Sequence, residues 1–271
     1  MDQDITKTIP QYRRMLAILS PRRIDSSFYF NHTITLTKTL TWINNYNQKS
    51  PHKLTLLQLA MIALAKVLYE RPQLNRYVSG HRFYQRHGVA ISISLKKSLQ
   101  DGAKIVLIKI PVVMNQTIAE ILAKLETLLG EGKSDQDILQ EKETRWLLRL
   151  PVFLIRALLK LVKILEHWHL LPSFFVDNDP FYASAIIANL GSVGLDAGYH
   201  HLFEHGNCPL FGVLGRMNHD DNNVPRVDIK WTFDERIDDG LSCALSLELF
   251  KKYLEGPELI YTSHDLNFGI L

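Results

Sequence analysis

Cysteine is scarce in this sequence: Cys208 and Cys243 are the only two in 271 residues. Two isolated thiols supply neither a disulfide framework nor the paired ligands of a zinc site. Each stands among apolar neighbours, Pro209-Leu210-Phe211 and Ala244-Leu245, which marks both as buried structural residues rather than nucleophiles. Long uncharged apolar runs are missing as well. The stretch 145–175, rich in large apolar residues, meets a basic residue every few positions and therefore cannot span a bilayer. The opening Met1-Asp2-Gln3-Asp4 is polar and acidic, without the apolar segment of a secretory signal. No Pro-, Ala- or Ser-rich linker divides the chain, so one domain over residues 1–271 is expected. The net charge of +3 is mild, and no nucleic-acid motif accompanies it, which argues against a nucleic-acid partner. A cytoplasmic protein with reduced thiols is the expectation.

What the chain has is apolar residues, 46% of the total, enough to bury a sizeable core. Their spacing alternates between two periods. Phe28 to Leu40 reads as a strand, with a helix from about Leu40 to Tyr46. Thr55 to Glu70 reads as a helix that stops at Arg71-Pro72. Val78 to Tyr84 and Val89 to Leu95 form a predicted strand pair joined through Gln85-Arg86-His87-Gly88, and Ala103 to Ile110 a further strand. Thr117 to Leu129 is a predicted helix closed by Gly130. Ala183 to Ala188, Phe211 to Arg216 and Val227 to Phe233 complete the strands. This pattern predicts an α/β fold, a mixed sheet with helices on one face in a two-layer sandwich.

The last of those strands runs into Trp231-Thr232-Phe233-Asp234-Glu235-Arg236-Ile237-Asp238-Asp239-Gly240. This segment resembles the Asp-His-Arg-x-x-Asp-Gly signature of the acyltransferase core of 2-oxoacid dehydrogenase complexes and, more distantly, of chloramphenicol acetyltransferase. Further segments fall in that family's order. Arg13-Arg14-Met15 through Ser27-Phe28-Tyr29-Phe30 resembles its basic opening helix and first strand. The run from Lys53 to Leu68, with Arg71-Pro72-Gln73-Leu74-Asn75 behind it, resembles its long helix and following turn. Ala188-Asn189-Leu190-Gly191-Ser192-Val193-Gly194 resembles its Ser-Asn-x-Gly-Ser-x-Gly turn, and Leu245 to Leu259 its terminal helix. The likeness leaves a gap from about Gly130 to Pro180.

The resemblance implies transfer of an acyl group from a coenzyme A thioester, or a carrier thioester, to a thiol or hydroxyl acceptor. In the family the His takes the acceptor's proton, and the Ser of the turn hydrogen-bonds the developing oxyanion. Here Glu235 and Ala188 stand in those places. A methyl group donates no hydrogen bond, and a carboxylate at an ordinary pKa of about 4.3 is a weaker base than imidazole. Three readings follow. Glu235 acts as a substitute base, or a nearby His200, His201 or His205 takes over, with His201 first; the fold persists as a silent binding or scaffold module; or Glu235 serves only as an ion-pair partner for Arg236 or Arg14. The resemblance gives Asp239 as the partner of an Arg in the opening segment, Arg13 or Arg14. It also gives Asn189, Gly191 and Ser192 as the turn that meets the thioester, and Arg236 and Gly240 as supports. It implies a homotrimer whose active sites lie between subunits. The lack of linkers means that no lipoyl or subunit-binding domain, and no lipoyl group, is expected ahead of the core.

The gap holds the most individual part of the chain, an insertion at about 131–180. Arg145, Arg149, Arg156, Lys160 and Lys163 recur at helical spacing, while Leu150, Phe153, Leu154, Ala157, Leu158, Leu161, Leu165 and Trp168 fall on another face. Such a stretch, 145–175, can lie peripherally on an anionic membrane, dock on a protein or roof an acyl-chain tunnel. It can equally be two core-facing helices, broken by Pro151 and Pro172. No metal is expected. His219-Asp220-Asp221-Asn222-Asn223 reads as a hairpin loop, and His167 and His169, two residues apart, point to different sides of a helix.

Overall fold

A computed structural model describes residues 2–96, 105–134, 148–168 and 170–262. The chain opens with β1 (Gln3–Asp4), α1 (Gln11–Leu19), β2 (Ser27–Thr35), α2 (Thr37–Lys49) and α3 (Leu56–Glu70). There follow β3 (Arg76–Ser79), β4 (Arg82–Gln85), β5 (Val89–Lys96), β6 (Ile105–Val112), α4 (Ile118–Ser134), α5 (Val152–His167) and α6 (Ser173–Asn178). The chain continues through β7 (Ala185–Asn189), β8 (Leu210–His219), β9 (Pro225–Asp234), α7 (Gly240–Glu255) and α8 (Leu259–Thr262). Six strands form one mixed sheet in the order β2-β9-β8-β7-β5-β6. Its two parallel pairings are β5 with β7 and β7 with β8; the remaining pairings are antiparallel. This is the expected α/β two-layer arrangement.

The period-2 alternation decides what each face of the sheet does. Val227, Ile229, Trp231 and Phe233 of β9 turn toward the helices and are fully buried with Ile91, Ile187, Leu210 and Leu214. The ring of Trp231 meets Phe250 of α7 edge to face at 5.1 Å. α3 is the central helix. Its Thr55 and Gln58 form a reciprocal capping box, which explains the sharp start, and buried residues run from Leu57 to Leu68 with only Gln58 partly exposed. Facing the other way, Ile186, Phe211 and Val213 pack under the segment 197–208 through Leu202, Phe203 and Cys208.

Several boundaries differ from the sequence expectation. Val78 to Tyr84 is not one strand: Gly80, at φ +60°, turns the chain so that β3 and β4 pair with each other. With β1 they make a separate three-stranded sheet, and β5 pairs with β6 instead. The strand expected to reach Leu40 ends at Thr35, because α2 starts at Thr37. α4 runs through Gly130 to Ser134 rather than closing there. The terminal helix begins at Gly240, where the Asp239 carboxylate accepts from the Ser242 backbone N–H at 2.7 Å, well before Leu245. Ala103, Arg145 and His169 lie outside the described residues.

The insertion attaches to β5 and β6 of the large sheet and to the end of β3 in the small one. Ser92 donates to the Pro180 carbonyl at 2.6 Å, Lys109 of β6 to the Val176 carbonyl at 2.8 Å, and Ser79 to the Glu166 carbonyl at 2.6 Å. Lys109 is largely covered by this contact, and burial pulls its pKa from 10.5 down to about 8. A depressed ammonium pKa means that the unfolded chain binds the proton more tightly. The penalty is therefore complete below about pH 8 and fades as pH rises toward 10.5. In urea denaturation, the stability of Lys109→Met relative to the wild type should fall across that interval and stay flat between pH 6 and about 7.5.

Candidate active site

At the C-terminal end of β9 the chain turns sharply into α7, and the signature residues are distributed around that turn. Asp234 and Arg236 are both almost fully buried and form an ion pair. Arg236 Nε and Nη2 donate to the two carboxylate oxygens of Asp234 at 2.8 and 2.7 Å. The remaining nitrogen of the fork, Nη1, donates to the carbonyls of Ser20 and Pro21 at 3.2 and 2.7 Å, and the Ser26 hydroxyl donates to Asp234 Oδ1 at 3.2 Å. Burial works against the guanidinium charge, and the Asp234 carboxylate outweighs it, so the pKa of Arg236 rises.

Glu235 lies between these two anchors. Its backbone N–H donates to the Ser26 carbonyl at 2.9 Å, and its own carbonyl accepts from Arg13 Nη1 at 3.0 Å. Arg13 is buried on α1, and its Nη2 lies 3.6 Å from Asp239, so this arginine joins the two ends of the turn. Arg14, the other candidate for that role, points to solvent, because consecutive helical residues diverge and the inward stripe of α1 is Arg13 and Ala17. The support expected of Arg14 or Arg13 thus falls to Arg13. Gly240 shows no steric requirement: a Cβ there would meet nothing within 4 Å.

With Arg236 committed to Asp234 and Arg13 to backbone and Asp239, the Glu235 side chain enters no ion pair or hydrogen bond among the described residues. It is half-buried and borders a cavity of about 300 Å³. Tyr12, Arg13, Met15, Leu16, Leu19 and Asp239 complete the wall. The site therefore offers an unpaired carboxylate beside an apolar concavity, with one guanidinium held in place. The apolar rim continues outward, since Tyr12, Met15, Leu19, Leu241 and Leu245 are all exposed.

The turn after β7 is built separately. Asn189 Oδ1 accepts from the Ser192 N–H at 3.2 Å, and the Ser192 hydroxyl donates back to the Asn189 carbonyl at 2.8 Å. The amide nitrogen of Asn189 has no acceptor among the described residues. Gly194 takes φ +78°, while Gly191 is required for another reason: a Cβ would lie 2.3 Å from the Gly215 carbonyl oxygen. That carbonyl belongs to the irregular stretch of β8 between Leu214 and Met217, where the Leu190 and Arg216 N–H groups bind the carbonyls of Leu214 and Leu195. Ala188 is half-buried on the outer face beside Ile186 and Phe211.

The two halves do not meet within one chain. Asn189 pairs with Leu214, and Leu214 with Ile229, six residues before Glu235 along β9. At roughly 3.3 Å per residue the turn and Glu235 are about 20 Å apart along the strands. The histidines are elsewhere again. His200 stacks on Phe211 at 4.1 Å, and its Nδ1–H donates to the His201 carbonyl at 2.8 Å; burial lowers its pKa. His201 is exposed and packs against Phe203, and His205 binds Asp179 at 2.6 Å. None of the three contacts Glu235. No group of three or more metal-ligating side chains occurs among the described residues. The sequence pattern gave no hint of the Asp234–Arg236 pair, although residues two apart at a strand end share a face.

Replacing Arg236 by Met would strand a buried carboxylate, at a cost of about 3–5 kcal/mol. Asp239→Ala removes an exposed helix cap and a long ion pair, at about 1 kcal/mol. Urea denaturation of the two variants checks the difference, and an equal cost would assign the anchoring role to the wrong pair.

The sequence model of the family described as 2-oxoacid dehydrogenases acyltransferase (catalytic domain) matches residues 18–144, so Ala188 and Glu235 both lie beyond the matched part. Among solved structures, a probable dihydrolipoamide acetyltransferase from Listeria monocytogenes is 17% identical over 94% of this chain and 95% of that one, with a TM-score of 0.59. A dihydrolipoamide acetyltransferase from Azotobacter vinelandii is 14% identical over 96% and 92%, at 0.60. A chloramphenicol acetyltransferase is 11% identical over 94% and 98%, at 0.55. No curated protein sequence matches. The chain has the chloramphenicol acetyltransferase-like fold and resembles the catalytic acyltransferase core of 2-oxoacid dehydrogenase complexes.

Proposed function

We propose that the protein transfers an acyl group from a coenzyme A or carrier thioester to a thiol or hydroxyl acceptor, with Glu235 as the base. The observation that supports this reading is the unpaired Glu235 carboxylate on the wall of the apolar cavity. A residue kept only for an ion pair would have been drawn to Arg13 or Arg236, and both guanidiniums are used elsewhere. The Azotobacter vinelandii enzyme uses a serine, a histidine and an asparagine in its catalytic mechanism, the last two four residues apart. Glu235 and Asp239 have that same spacing.

In the proposed reaction Glu235 accepts the proton of the acceptor's thiol or hydroxyl as that atom attacks the thioester carbonyl. Collapse of the tetrahedral intermediate breaks the carbon–sulfur bond, and the proton held by Glu235 returns to the departing thiolate. Ala188 donates nothing to the oxyanion; the free amide of Asn189 is the nearest substitute in sequence. The site is completed by a second copy, since the Asn189 turn and Glu235 lie at opposite ends of one sheet. Both ends carry exposed apolar side chains, Tyr12, Leu19 and Leu241 at one and Val193, Leu195 and Met217 at the other. A homotrimer that joins unlike ends in a closed ring satisfies both.

The test is release of free thiol from a ladder of acyl-coenzyme A species, acetyl to palmitoyl, by wild type and Glu235→Gln. Turnover by wild type with a loss of at least about 100-fold in the variant is expected for a base. Equal turnover moves the base elsewhere, His201 first. Tight binding without turnover by either protein would identify a silent acyl-thioester-binding homologue.

A further inference from the structure

The helix α5 has no buried residue, although it is both strongly apolar and amphipathic. With no residue buried, the core-facing reading does not account for it. Its attachment to the domain is narrow: Glu166 lies 3.8 Å from the buried Arg23, the Glu166 carbonyl accepts from Ser79, and the His167 ring covers Gly80. At about 100° per residue, Ile155, Val162 and Glu166 share the inward arc. These three are partly buried. The arc opposite carries Phe153, Leu161, Ile164 and Trp168, which are 73%, 49%, 47% and 56% exposed. Arg156, Lys160 and Lys163, all exposed, occupy the flank between the two arcs.

From this arrangement we infer that α5 is a docking element for an anionic lipid surface, lying in the plane of the membrane with Phe153, Leu161, Ile164 and Trp168 in the acyl region. The charge distribution selects this occupant. The only carboxylate on the helix, Glu166, is turned inward, so the outward surface offers cations and hydrocarbon alone. Arg82 adds a guanidinium 5.9 Å over the Trp168 ring at the helix end. A bilayer supplies both complements at different depths, hydrocarbon about 5–10 Å below the anionic headgroups, which the flanking basic residues reach. A second copy docked symmetrically on this face would bring Arg156, Lys160 and Lys163 against themselves. The apolar surface continues at Leu170 and Phe174, both exposed. No helix among the described residues is long and apolar enough to cross the membrane, so the attachment is peripheral.

Flotation of the full chain with phosphatidylcholine vesicles, with and without phosphatidylserine, tests this. Binding to the anionic vesicles only is expected, falling with added salt and about fivefold for each basic residue removed, so about 25-fold for Lys160→Ala with Lys163→Ala. Phe153→Asp with Ile164→Asp should abolish flotation while leaving the thermal melting curve unchanged, because both side chains are in solvent. Quenching of Trp168 fluorescence by brominated acyl chains, assigned with Trp168→Phe, reports insertion. Failure to float with either vesicle, or flotation that the Asp variant retains, overturns the inference. So does a change in oligomeric state of the Asp variant without vesicle binding by the wild type, which would make the face a contact between copies. These results are independent of acyl transfer, since no residue altered borders Glu235.

Discussion

Arg236 brings a full positive charge into a place from which water is almost excluded, and this end of the molecule is arranged to hold it. Two of its donors meet the Asp234 carboxylate and the third nitrogen meets the carbonyls of Ser20 and Pro21. Asp234 in turn accepts from the Ser26 hydroxyl and the Arg236 N–H. A buried pair of this kind adds little net stability over an apolar substitute, yet it is costly to break and tolerates few geometries. It fixes the end of β9 against the segment joining α1 to β2, and so fixes where residue 235 points.

That division explains how a signature can keep its frame while its central residue changes. Asp234, Arg236 and Asp239 act through contacts that do not involve the side chain at 235: a buried fork, a helix cap and a link to Arg13. The main chain of Glu235 is held by Ser26 and Arg13 through its N–H and carbonyl, leaving the side chain free to face the cavity. Any side chain of similar size would be presented in the same direction.

The parts of the fold that were legible in the sequence are those where one local signal decides the outcome. The alternation of Val227, Ile229, Trp231 and Phe233 and the Thr55–Gln58 box both act within a few residues. The misread boundaries depend on competing local signals. Val78 to Tyr84 is apolar enough to pass for one strand, and only the positive φ of Gly80 splits it. Asp239 carried an expected pairing with arginine, which hid its second role as the cap that starts α7 five residues before Leu245. Choosing Arg13 over Arg14 required the orientation of α1, a property of packing. The insertion shows the same limit: its helical period was readable, but apolar side chains cover so much of its circumference that the inward arc could not be distinguished from the outward one.

The two departures from the family pattern sit on opposite ends of one sheet, and this bears on how they could arise together. Within one chain Ala188 and Glu235 share no contact, and the loss of one leaves the surroundings of the other unchanged. Any coupling between them would have to pass through the site proposed between copies, where the turn of one chain would face the β9 end of another. In the proposed reaction the methyl group at 188 donates nothing to the oxyanion, and Glu235, once it holds the acceptor's proton, is neutral and supplies none of the positive charge that a protonated imidazole would. Both changes disfavour a tetrahedral oxyanion of the usual kind. An acyl transfer that survives them therefore relies more on positioning its two substrates against the apolar wall beside Glu235, with Arg13 and Asn189 as the polar groups of the proposed site, than on charge stabilisation at positions 188 and 235.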